Sequence, residues 1–241
     1  MADNKKTLGE KLKEIYKFED LSTVCCRQCS CCRVACPQMK YSEALNIVDT
    51  IRKDWNKEDW ADFLGVCVEY FFSKSLIKPC PLLDGVECRV YDERPLNCRL
   101  YGLWPEDMYT KRVEGVSKML RLDKSEVPLN EQCQHVTRAN NLPELTEEQI
   151  NELFDALDSL DRDVGKFSTE QVRHYQNYRT VHDWALYFFF GEEWLVRMTQ
   201  IAVSGTKENL SEFITVFKDQ IRKMVLEEAE KDEQGIQSQD S

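Results

Sequence analysis

Apolar residues recur at helical spacing over most of the chain. In YSEALNIVDTIRKDW, Ala44, Leu45, Ile47, Val48 and Ile51 fall on one face, with Ser42 at the position of a helix cap. The next stretch repeats the pattern through Trp60, Phe63, Leu64, Cys67, Val68 and Phe71, which places Cys67 on the buried stripe as a small core residue. Thr146 with Gln149 and Ser168 with Gln171 have capping-box spacing, each beside a hydrophobic staple, Leu145 with Ile150 and Phe167 with Val172. A further helix is predicted from Thr206 through Leu210, Phe213, Ile214, Phe217, Ile221 and Val225, and Thr7 with Glu10 open a short one near the start. No segment alternates in the manner of a strand. The pattern predicts a mainly α fold, a helical domain with an irregular cysteine-rich segment.

That segment breaks the periodicity between positions 79 and 105, PCPLLDGVECRVYDERPLNCRLYGLWP, which holds four of the seven prolines and three cysteines. Proline removes backbone donors and blocks helix continuation, so irregular chain of this length needs something to organise it, and a bound metal would do so. No element is assigned from Glu106 to Gln132. The densest apolar run, WALYFFF from Trp184 to Phe190, is too short to span a bilayer; it reads as core, and membrane insertion is not expected.

The cysteines change the picture most. Six of the eleven lie within twelve residues, CCRQCSCCRVAC, from Cys25 to Cys36. The N-terminal stretch lacks the apolar core of a signal peptide, so a reducing cytoplasm is expected and disulfides are not. Thiolates in close sets instead hold zinc or iron-sulfur clusters. Cys26, Cys29, Cys32 and Cys36, followed by Pro37, fit CxxCxxCxxxCP, the spacing of bacterial ferredoxins. There, three sulfurs of one loop grip a cluster and the fourth is offered to it or to a neighbour. Cys25 and Cys31 are alternates. Cys80, Cys88 and Cys98 form a second set, completed by Cys133 or by His135 two residues on. An internal repeat, CRVY at 88 and CRLY at 98, puts Arg89 and Arg99 beside two of these sulfurs, where guanidinium groups would offset the negative charge of a thiolate site.

With 32 Lys and Arg against 43 Asp and Glu, the net charge is −11, which disfavours a nucleic-acid partner. No glycine-rich phosphate loop is present. His174, Tyr178 and His182 are spaced to share one face of a predicted helix, without an HExxH arrangement, and read as packed or exposed residues rather than ligands.

Cys80, Pro81, Leu83, Cys88, Tyr91, Arg94, Pro95, Cys98, Arg99 and Tyr101, behind an N-terminal cysteine cluster, resemble the YkgJ-like proteins, a cysteine-cluster family described as zinc- or iron-chelating. The resemblance covers about positions 25 to 133, and adds Arg94 to Arg89 and Arg99 as candidate cofactor-binding residues. It implies zinc or iron-sulfur binding, with oxidoreductase activity in some members. The resulting expectation is one or two 4Fe-4S clusters with a redox or electron-transfer role and a protein redox partner; the alternative is a zinc-stabilised interaction module without catalysis. Positions 1–135 are read as the metal-binding region, 136–230 as a C-terminal helical region and 231–241 as a disordered acidic tail.

Overall fold

The computed structural model describes residues 6–21, 23–24, 36–73, 78–85, 87–100, 105–126, 137–138, 145–165 and 178–237. The predicted capping box of Ser168 with Gln171 and its staple, Phe167 with Val172, lie outside them. The fold is mainly α. Nine helices are described: α1 (Leu8–Ile15), α2 (Tyr41–Asp54), α3 (Lys57–Phe72), α4 (Leu96–Arg99), α5 (Glu106–Leu120), α6 (Glu147–Gly165), α7 (Val181–Phe190), α8 (Glu192–Ser204) and α9 (Lys207–Gln237). Helix α9 carries the acidic stretch as far as Gln237. The strands are two or three residues long and form three antiparallel pairs: β1 (Thr23–Val24) with β5 (Thr137–Arg138), β2 (Gln38–Lys40) with β6 (Tyr178–Thr180), and β3 (Leu83–Asp84) with β4 (Glu87–Cys88).

The chain divides into two compact units, each discontinuous in sequence: Met1–Ile47 with Leu76–Thr180, and Val48–Ser75 with Val181–Ser241. In the first, Leu12, Tyr16, Leu96, Leu100, Ile150, Leu157 and Leu160 form one buried cluster. Local signals start two of its helices as predicted. The Thr7 side chain accepts from the Glu10 N–H while the Glu10 carboxylate accepts from the Thr7 N–H, and Thr146 and Gln149 make the same reciprocal pair at the mouth of α6. Leu145 packs against the cluster that includes Ile150.

Helix α2 starts differently from the expectation. It begins at Tyr41, so Ser42 lies inside the first turn and is not the cap. The Asp161 carboxylate of α6 accepts the N–H groups of Ser42 at 2.8 Å and Tyr41 at 3.2 Å, which satisfies donors that every helix start leaves open. Beside it, Lys40 pairs with Asp158, one turn earlier on α6, with both side chains largely buried. Helix α5 occupies part of the stretch left unassigned. Its start follows Pro105, and the exposed Asp107 lies in its first turn, where a helix N-terminus favours negative charge.

In the second unit the apolar face of α3 buries Trp60, Phe63, Leu64, Cys67 and Val68, as the periodicity predicts. Rings join α3, α7, α8 and α9: Phe190 stacks on Trp194 at 4.4 Å, Trp194 on Phe217 at 5.2 Å, and Phe72 meets Phe213 edge-on at 5.4 Å. Within the aromatic run, Trp184, Ala185 and Leu186 are fully buried and the later rings half-buried. Gly191, at φ +85°, makes the break between α7 and α8 that an L side chain would strain. Among the described residues, no helix is long and apolar enough to cross a membrane.

Candidate metal centre

Five of the eleven cysteines fall within the described residues: Cys36, Cys67, Cys80, Cys88 and Cys98. Cys25, Cys26, Cys29, Cys31, Cys32, Cys133, His135 and His174 lie outside them. Cys67 is wholly buried on α3, among the apolar residues of the second unit, where the periodicity placed it. The other four belong to the first unit.

Two sulfurs from opposite ends of the sequence pattern meet. Cys36 stands just before β2, and Cys80 sits buried at the start of the proline-rich run, which turns on a bond from the Leu83 N–H to the Cys80 carbonyl at 3.1 Å. The Cys36 thiol lies close enough to that of Cys80 to interact with it, and this interaction, reinforced by burial, pushes the Cys80 thiol well above its ordinary range. The hairpin of β3 and β4 pairs Leu83 with Cys88 and brings Cys88 back toward Cys80. Burial pushes the Cys88 thiol up to about 11; the neighbouring Cys80 adds to this, while the Val90 N–H and the Arg94 guanidinium oppose it. Cys98, on α4, lies close enough to Tyr16 for its charge to help hold the Tyr16 phenol above its ordinary range, behind the larger effects of burial and Glu43.

The three arginines occupy different settings. Arg89 is exposed. Arg94 lies over the Tyr91 ring at 3.6 Å, donates from Nε to the Tyr91 carbonyl at 2.8 Å, and is the cation whose charge reaches Cys88. Arg99 is buried. It donates to the carbonyls of Arg94 at 2.5 Å and Asp92 at 2.6 Å and sits 4.3 Å over the Tyr16 ring, so it shapes the loop from Asp92 to Arg99.

The second motif weighed above does not form. Tyr178 lies in strand β6 and His182 in the first turn of α7, so no single helix carries both. Pairing with Gln38–Lys40 holds Tyr178 extended, a tertiary contact that overrides the local period. His182 is buried edge-on to Tyr70 at 5.8 Å, a packed residue.

A group of residues that sequence spacing did not reveal holds the cysteine segments in place. The Glu43 carboxylate, fully buried at the start of α2, accepts from the Tyr16 hydroxyl at 2.6 Å, the Lys40 N–H at 2.8 Å and the Leu96 N–H at 2.5 Å. Burial lifts its carboxyl above the ordinary value of 4.5, against these three bonds. Asn97 donates to the Gln38 carbonyl at 2.6 Å and also bonds the Tyr178 hydroxyl. The segment after Cys36 and the helix carrying Cys98 are thereby tied together.

Residues 25–118 match the CxxCxxCC family model, described as a "Putative zinc- or iron-chelating domain". Metal binding, of zinc or iron, is the property this match carries. The matched span includes Cys36, Cys80, Cys88 and Cys98 and ends before Cys133. No curated protein and no solved structure matches the chain. The donor chemistry suits such a metal, since soft sulfur ligands select zinc and iron-sulfur centres over hard oxygen-seeking cations. The donors are only partly assembled: among the described residues, no three His, Cys, Asp or Glu side chains converge closely enough to hold an ion. What is assembled is the Cys36–Cys80 pair, with Cys88 near enough to feel the charge of Cys80.

Proposed function

We propose that the chain is an iron-sulfur redox protein in which Cys36 joins Cys80, Cys88 and Cys98 at one centre, while Cys26, Cys29 and Cys32 serve a second. The approach of the free Cys36 and Cys80 thiols to each other carries this reading. In the CxxCxxCxxxCP arrangement of two-cluster proteins, the fourth cysteine ligates the other cluster, and contact between Cys36 and a distant cysteine is what that division requires. The antiparallel pair β1 with β5 supports Cys133, or His135, as completing that second centre. Val24, next to Cys25 in sequence, is opposite Thr137, two positions past His135.

A cluster in this setting supplies reversible one-electron transfer. The chain's own residues would hold it, offset its charge through Arg94, and keep water from Cys80 by burial. Arg89 and Arg99 remain candidate charge partners of the same centre. A protein redox partner, rather than nucleic acid, suits an acidic chain, and unoxidised thiols suit the cytoplasm.

Anaerobic purification of the full chain tests the reading. Brown protein containing iron and acid-labile sulfide supports it. A colourless chain with stoichiometric zinc overturns it in favour of a zinc-stabilised interaction module.

A further inference from the structure

Glu43 is an expensive residue to keep. An ionised carboxylate taken fully out of water is strongly disfavoured unless its oxygens are well bonded, and an apolar side chain of similar volume would fill the same space without that cost. What the carboxylate adds is connection. One oxygen takes the Tyr16 hydroxyl and the Leu96 N–H, and the other takes the Lys40 N–H. Lys40 lies four residues after Cys36, and Leu96 opens the short helix that carries Cys98. The bond from Asn97 to the Gln38 carbonyl runs parallel to this link, one residue from Cys98 and two from Cys36. Tyr16, held under the Arg99 guanidinium, buttresses the junction from the side of α1.

We propose that Glu43 is a positioning residue for the thiol centre: by bridging the backbone after Cys36 to the backbone before Cys98, it sets the separation of two ligand-bearing segments without touching a ligand. The inference rests on the metal-binding reading above. It separates Glu43 from Asp161, an equally buried carboxylate that caps the same helix from α6 and bonds neither Leu96 nor Lys40 in doing so. Residues that orient ligands from behind lower metal affinity by about 10- to 100-fold when replaced.

The test titrates the reduced, metal-free full chain with Co²⁺, reading the thiolate-to-cobalt absorption band, with Zn²⁺ affinity measured by competition. Glu43→Gln keeps the shape and one acceptor but places an amide against a backbone donor. Tyr16→Phe keeps the ring and loses one donor, so the question stays answerable should Glu43→Gln not fold. Both are expected to bind about tenfold or more weakly, with a shifted band, at temperatures where their helical circular dichroism equals that of wild type. Asp161→Asn is expected to melt earlier while keeping wild-type affinity and spectrum. Wild-type affinity and spectrum in Glu43→Gln and Tyr16→Phe, or equal weakening in Asp161→Asn, overturn the inference. Wild-type chain that takes up no Co²⁺ overturns the metal-binding reading, and this inference with it.

Discussion

The carboxylate of Asp161 caps a helix that begins 120 residues before it, taking the Ser42 N–H at 2.8 Å and the Tyr41 N–H beside it. This one side chain substitutes for the local cap that α2 lacks. Replacement by alanine leaves two donors open, one buried and one part-buried, at a cost of about 2–3 kcal/mol. Denaturant unfolding of Asp161→Ala should show that loss. A change below about 0.5 kcal/mol would mean that other acceptors take over the helix start.

Glu43 and Asp161 also give stability a pH dependence of definite sign. Burial, the largest cause for each, holds both carboxyl groups above their ordinary values of 4.5 and 3.8. A carboxyl raised on folding stabilises the fold while it is protonated; that contribution is complete below the unfolded value and is lost as pH rises through the folded value. The stability of wild type relative to Glu43→Gln should therefore fall as pH increases from about 4 to 7. Unfolding curves of the metal-free proteins across that range check it, and a rising difference would show that the three hydrogen bonds outweigh burial.

How far the sequence could be read depended on how local each cause was. The capping boxes at Thr7 and Thr146 lie within four residues of themselves, and the structure has both. The stripe through Trp60, Phe63, Leu64 and Cys67 likewise needs only its own helix period. The cap of α2 was not legible because Asp161 belongs to another helix, and Ser42 offered a plausible local substitute. Tyr178 was misread as helical because its extended backbone is imposed by Gln38–Lys40. At the site, the cysteine spacing pointed to metal chemistry, yet spacing speaks only of neighbours along the chain and could not bring Cys36 to Cys80. Glu43 left no signal, since a glutamate in a first helical turn ordinarily does no more than complement the helix dipole.

Replacing cysteines one at a time should separate the two roles. Cys67→Ser puts a hydroxyl into a wholly buried apolar site and should cost about 1–3 kcal/mol while leaving metal content unchanged. Cys80→Ser and Cys98→Ser should lower metal content and thermal stability together, because site formation and folding are coupled. Metal analysis of the purified variants decides the matter. Unchanged metal in Cys98→Ser removes that residue from the centre, and lost metal in Cys67→Ser would show that its helix stripe does more than pack.

Metal uptake should be strongly coupled to protons. The Cys88 thiol is pushed up to about 11, chiefly by burial, and the Cys80 thiol is raised by its interaction with Cys36 and by burial. Near neutral pH both are therefore protonated in the metal-free chain. A metal binds thiolate, so each of these ligands must release its proton on binding, and affinity climbs as pH rises. Calorimetric titration with Zn²⁺ in two buffers of different ionisation enthalpy should report release of about one proton per such ligand, with tightening from about pH 6 to 8. For the same reason iodoacetamide should label Cys88 slowly in the metal-free chain at pH 8. Fast labelling of Cys88, together with an affinity independent of pH, would mean that these sulfurs are already ionised before any metal arrives.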